Sequence, residues 1–322
     1  MKQQNKCNSN LLVASSLITR LVVLSVVTKH VACAMNTTVT PTVVNRPIVH
    51  TFFHRFDQGN GLIGMTDDDE NELLSFWKES WLQAGWEPAN LSLRDAESHP
   101  RYNSFKNTVQ SLHLDAFSTL SFMRWIAMAH VGGGWYADYD VFPIRDFPAE
   151  LPNNGTMTIY DVMSPTLASG NADEWTKTLD ALLEDAVETQ NLAGTTDRHN
   201  LFWTDSLGIL NLVANDRFAP KREKRVAQPY GAKDPILTSN DCDVKSFRSR
   251  WVVHFGQEMV QSAEFVPNHL RIPNGRLSLA REWLPKWRAK CYQTASLSTT
   301  SAAKHIGTRI DKGGASTVVS RS

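Results

Sequence analysis

The sequence predicts an α/β domain whose mostly parallel central sheet is flanked by helices. Short apolar, β-rich runs alternate with amphipathic helical stretches between residues 46 and 292, the pattern expected of strands joined by crossover helices. No internal repeat is present, and 42% hydrophobic residues are enough to fill the core of one large domain or two small ones. A glycine-rich stretch ending in acids, "GGGWYADYDV" (132–141), directly follows a long helical segment.

The elements follow in order. "RPIVHTFF" (46–53) is an apolar run that reads as a buried first strand. Thr66 with Asp69 three residues on makes a capping-box start, and Leu73, Leu74, Trp77 and Trp81 form the apolar stripe of the helix behind it. The acids of "DDDE" (67–70) suit the positive end of that helix without any metal. "GWEPANLSL" (85–93) reads as a turn and second strand, and residues 114–130 as a long helix. "GTMTIYDVMS" (155–164) is a strand candidate, "ADEWTKTLDALLEDAVETQ" (172–190) an amphipathic helix, and 200–215 a further helix. "RWVVHFGQ" (250–257) reads as a late strand leading into a loop.

The ends differ from this body. Basic, polar residues 2–10 precede an apolar run over 11–27 and then Ala32 and Ala34 in an A-x-A arrangement. That layout predicts a secretory signal peptide over 1–34, with a signal anchor through 11–27 as the alternative. Arg20 inside the run disfavours a stable span. Residues 35–45 read as a linker, 46–292 as the domain, and the Ser/Thr-rich 293–322 as a disordered tail. Asn36, Asn90 and Asn154 each begin an N-glycosylation triplet, which agrees with a secretory route to the Golgi lumen or the exterior. Cleavage after Ala34 leaves Cys242 and Cys291, either joined as a disulfide or present as two buried thiols. Residues 35–292 carry 25 basic and 32 acidic residues, a net of −7 with no basic stripe, which argues against a nucleic-acid partner.

Asp-x-Asp occurs at Asp67/Asp69, Asp138/Asp140 and Asp241/Asp243. The first is explained by helix capping, and the third lies in a polar loop. At a strand end, carboxylates two residues apart point to one side. Two hard oxygen donors so placed can hold Mn²⁺ or Mg²⁺ and leave positions for phosphate oxygens. Gly133 and Gly134 let a backbone approach closely, and Trp135 and Tyr136 offer flat walls. The bland reading is a glycine turn followed by solvated acids.

"GG-x-Y-x-D-x-D", filled by Gly133, Gly134, Tyr136, Asp138 and Asp140, resembles the sugar-binding region of DXD glycosyltransferases, and of family 32 in particular. The preceding helix keeps the family's Arg and aromatic as Arg124 and Trp125. "RPIVHTFF" is similar to the family's first strand, and "WVVHFG" to its late strand ending in a histidine, here His254. The resemblance implies a GT-A fold, a nucleotide-sugar donor, a divalent metal (Mn²⁺ or Mg²⁺), and transfer to a hydroxyl of a glycan or glycoprotein with retention. It implies that Asp138 touches the donor and the metal, that Asp140 is the main metal ligand, and that Arg124 pairs with a donor oxygen. His254 becomes a metal or diphosphate contact, against the alternative of a hydrogen-bonded core histidine. The sequence departs from the family at Ser121, a donor-binding candidate that can hydrogen-bond a sugar hydroxyl but carries no charge where an acid is usual, and at Gly132, one residue more than the usual interval. Asp161 and Asp205 are further acids near predicted element ends, and of the two Asp205 is a donor-binding candidate.

Dehalogenase-type phosphatases also use D-x-D, but Phe142 stands where they need Thr or Val, and the motif lies far from the first strand. A catalytically inactive, secreted carbohydrate-binding or effector-like protein on the same scaffold is the second expectation, favoured by Ser121.

Overall fold

The computed structural model describes residues 45–55, 65–161, 164–193, 204–215, 220–228, 249–256, 260 and 274–292. All of them belong to one compact unit that begins at Asn45. The expected signal peptide or anchor, linker, C-terminal tail, Cys242 and the third Asp-x-Asp lie outside the described residues.

The main sheet has the order β2-β1-β3-β6-β5-β7. Its strands are β1 (Ile48–Phe52), β2 (Glu87–Leu91), β3 (Gly133–Ala137), β5 (Thr158–Ile159), β6 (Leu167–Asn171) and β7 (Lys221–Arg222). β1 pairs in parallel with both β2 and β3, and β5 with β7, while β6 runs against both β3 and β5. Five strands therefore share one direction and β6 alone opposes them, a mixed α/β sheet that is mostly parallel. A second sheet has the order β4-β9-β8, from β4 (Val141–Pro143), β8 (Val226–Ala227) and β9 (Val252–His254).

Helices cover both faces. Alternation along β3 sends Trp135 and Ala137 into one core and Tyr136 into the other. The first core holds Trp77 and Trp81 of α1 (Asp67–Gln83), Trp86, the small sheet, and Leu284 and Trp287 of α7 (Gly275–Trp287). The second is built by α2 (Leu93–Glu97), α3 (Tyr102–Ser111), α4 (Ala116–His130), α5 (Ala172–Ala193) and α6 (Asp205–Ala214). Truncating a buried tryptophan in either core should cost about 3–5 kcal/mol.

The start of α1 is as the sequence predicts. Thr66 accepts from the Asp69 N–H, and Asp69 accepts in return from the Thr66 N–H. α2, α3 and α7 were not anticipated, nor were the short β7 and β8 or the Gly- and Ser-containing β6. The largest revision concerns the glycines. Gly132 follows the last turn of α4 at φ +93, the left-handed position that ends many helices. Gly133 lies inside β3 opposite Asn171 of β6. A Cβ on Gly133 would sit 2.7 Å from the Asn171 carbonyl carbon and the Gly170 oxygen. The missing side chain admits the neighbouring strand.

Among the described residues, no helix is long and apolar enough to cross a membrane. Cys291 is disulfide-bonded, and its partner lies outside the described residues.

Candidate functional site

β1 stands between β2 and β3, so the chain leaves β1 to one side, makes β2, and returns through α2–α4 to the other side of β1. In open α/β sheets, ligands bind outside the carboxyl ends of the strands at such a reversal. β3 ends at Ala137, and Asp138 is the next residue. The Asp138–Asp140 pair therefore lies where the topology opens a crevice.

The two carboxylates do not follow strand alternation. Val141 N–H donates to the Asp138 carbonyl (2.9 Å), closing a turn over Asp138–Val141 before β4. The turn gives the acids different neighbours. Asp138 stays on the α4 side, whereas Asp140 meets β9 and α7.

On the first side, Arg124 of α4 donates from Nη1 to Asp138 Oδ1 (3.0 Å), which also accepts from the Tyr136 hydroxyl at 2.6 Å. The other edge of the guanidinium, Nε and Nη2, donates to Asp205 Oδ2, the Nε bond being 2.8 Å. The same oxygen accepts from Trp125 Nε1 at 2.9 Å. Asp205 is 2% exposed with that oxygen held by three donors, so it anchors Arg124. Arg124, with 16% of its side chain exposed, presents a fixed positive charge beside the strand end. Burial pushes the Asp138 carboxyl up to about 6, with Arg124 opposing and the nearby Asp140 charge adding to the rise.

On the second side, β4 and β9 pair with Val141 opposite His254, and the Phe255 N–H donates to the Asp140 carbonyl (3.0 Å). This register brings His254 Nε2 to 3.4 Å from Asp140 Oδ1. Asp140 Oδ2 accepts from Arg276 Nη1 of α7 at 3.0 Å. Burial works against the Asp140 anion, but His254 and Arg276 outweigh it and hold the carboxyl below the usual range. Burial likewise opposes protonation of His254, yet the Asp140 charge raises its imidazole above the ordinary value.

The sequence-predicted residues thus divide. Arg124, Tyr136, Asp138, Asp140 and His254 gather at the strand ends, with Asp205 behind Arg124. Ser121 is 5% exposed and donates to the Phe117 carbonyl of its own helix, at 3.2 Å. Trp135 is 2% exposed on the opposite face, stacked on Tyr160 and donating to the Ala149 carbonyl. Gly134 faces the ring of His50. One contributor was missed by sequence reasoning. Arg276 is separated from Asp140 by 136 residues, and no local motif marks it. Asp161, just past β5, is 5% exposed and accepts from Gln228 and Thr166. Its position in "TIYD", a strand run ending in an acid, is what marks it in the sequence as an acid near an element end.

Of the side chains gathered here, the two carboxylates are the donor type that a hard divalent cation takes, and the His254 imidazole is a softer neighbour. Among the described residues, no three His, Cys, Asp or Glu side chains form a ready-made cage. An ion held here would complete its shell with water or ligand oxygens.

A comparison with curated proteins finds no match. A family model described as a domain of unknown function (DUF8765) matches residues 24–208, more than half of the chain. The matched span includes Arg124, the glycines, both aspartates of the turn and Asp205, and it stops short of His254 and Arg276. The chain belongs to the DUF8765 family.

Proposed function

We propose that this protein is a glycosyltransferase of the secretory pathway, in the Golgi lumen or secreted. It transfers a sugar from a nucleotide-sugar donor to a hydroxyl of a glycan or glycoprotein, with retention at the anomeric carbon, on a GT-A fold. The observation that carries this reading is the meeting of Arg124, Asp138, Asp140 and His254 at one reversal point of the sheet. They come from α4, the turn after β3, and β9, up to 130 residues apart in sequence, and they are the positions that the family resemblance selects.

Asp138 and Asp140, with His254, would hold Mn²⁺ or Mg²⁺, which when bound neutralises a diphosphate leaving group. The chain's own residues do the rest. Arg124, fixed on one edge by Asp205, offers a preorganised positive charge to donor oxygens. Asp138, held at Oδ1 by Arg124 and Tyr136, has less rotational freedom to lose on binding. The test is a screen of nucleotide sugars for Mn²⁺-dependent hydrolysis or transfer. Folded protein that neither binds nor turns over any donor would end the proposal.

One observation favours the second reading, a non-catalytic carbohydrate-binding protein on the same scaffold. Where the resembling family carries an acid, Ser121 is buried, uncharged, and donates its hydroxyl hydrogen to its own helix. Donor or glycan binding without turnover would select it.

A further inference from the structure

The last of the described α-helices, α7, packs against α1 and the end of β4 through a run of polar contacts. Asn274 donates to Asp69 (3.2 Å), Arg281 to Glu72 (2.9 Å), and Trp287 Nε1 to the Ile144 carbonyl (3.3 Å). Arg288, just past the helix, donates to the carbonyls of Ser80 and Pro143. These contacts fix where the first turn of α7 sits, and that turn carries Arg276.

Arg276 is 4% exposed, and its fork is fully engaged. Nε and Nη2 lie 3.2 and 3.0 Å from Met65 Sδ, Nη2 donates to the Tyr139 hydroxyl at 3.0 Å, and Nη1 donates to Asp140 Oδ2. The guanidinium also lies 5.0 Å from the centroid of the Tyr139 ring, close enough for a cation–π contact. Tyr139 is the residue between the two aspartates, so one arginine grips two successive positions of the turn. Asp140 itself is 6% exposed. A buried carboxylate held at one oxygen by an immobile donor has a single orientation, which here leaves Oδ1 toward His254.

We propose that Arg276 is the positioning residue for Asp140: α7, beyond the family-matched span, fixes which carboxylate oxygen the site presents. The inference rests on the proposed role of Asp140 in holding a divalent ion. Partners that orient a metal-binding side chain typically change metal affinity 10–100-fold when removed. Among the described residues, His254 Nε2 is the other side-chain donor beside Asp140, at 3.4 Å from Oδ1. Without Arg276 the carboxylate would turn onto it, and both groups would be diverted from the ion.

The test compares crystal structures and Mn²⁺ titrations of the full chain, of Arg276→Met, which refills the space beside Met65, and of Arg276→Lys. In metal-free Arg276→Met the Asp140 carboxylate should rotate and close on His254 to about 2.8 Å. Mn²⁺ affinity, read by electron paramagnetic resonance of the free ion, should fall about tenfold or more. Arg276→Lys keeps a charge near Asp140 but cannot grip Tyr139 and Met65 together, so its affinity should fall between the two. It supplies both readouts if the Met variant does not fold. An unchanged Asp140 orientation, or Mn²⁺ held as tightly or more tightly by the variants, would overturn the inference. Parent protein that binds no Mn²⁺ would instead defeat the metal-dependent reading of the function, while the crystallographic comparison would still decide the role of Arg276.

Discussion

Asp138 and Asp205 share one guanidinium, yet their removal should move stability in opposite directions. Burial places the Asp138 carboxyl at about 6, against an ordinary value of 3.8. At 1.36 kcal/mol per pK unit, that gap is on the order of 3 kcal/mol held against the ionised form. The folded state binds this proton more tightly than the unfolded state. Its contribution is therefore most favourable below pH 3.8 and is lost as pH rises through about 6. Asp138→Asn imitates the neutral form and keeps an oxygen for Arg124 and Tyr136. In chelator at pH 7.5 it should be more stable than the parent by roughly 1–3 kcal/mol, and at pH 4 the advantage should vanish. With a urea m-value of about 3 kcal/mol/M, the upper figure is a rise of about 1 M in midpoint. Asp205→Asn strips the charge from a 2% exposed carboxylate that anchors Arg124 and Trp125. It should lose about 3–5 kcal/mol, the usual result of breaking a buried pair. Urea unfolding followed by tryptophan fluorescence measures both. The reasoning fails if Asp138→Asn is destabilised at pH 7.5, or if its advantage is the same at pH 4.

The glycines give a second contrast. Gly133→Ala forces a Cβ to 2.7 Å from the backbone of β6 and should prevent folding or lower the melting temperature severely. Gly132→Ala meets no atom within 4 Å and should lose only about 1–2 kcal/mol, from its positive φ, in the same thermal melts. His50 is held below its ordinary 6.5 by burial, while its hydrogen bond to the Trp135 carbonyl acts the other way. The unfolded chain therefore takes up this proton first, and stability should fall as pH drops below 6.5. His50→Gln should flatten that acid limb in denaturation measured from pH 7.5 to 5. Reduction of the Cys291 disulfide should lower stability by about 2–4 kcal/mol, read as a drop in midpoint with dithiothreitol.

What was legible in the sequence had local causes. The capping box of Thr66 and Asp69, the apolar stripe of α1, the long α4 and the β1 run each depend on neighbours within one turn or one strand, and each formed as read. Distant partners decided the rest. β6, "LASGN", has no alternation to announce it and forms because Gly133 and Gly134 allow close pairing with Gly170 and Asn171. The strand-end reading of Asp138 and Asp140 missed the Asp138–Val141 hydrogen bond, which gives the acids different partners. Trp135 and Tyr136 read alike in sequence. The register of β3 puts one in the core beneath the sheet and the other against Asp138. Arg276 was illegible because its partner is supplied by packing of α7, not by spacing.

The central claim is that the Asp138–Asp140 turn binds a nucleotide-sugar donor with a divalent ion. Calorimetric titration of a nucleotide-sugar panel in the presence and absence of Mn²⁺, on the parent and on Asp140→Ala, tests it most directly. The account predicts Mn²⁺-dependent binding of at least one donor by the parent, and loss of that binding in a folded Asp140→Ala protein. Donor binding that is the same with and without Mn²⁺, or that survives intact in Asp140→Ala, would contradict it.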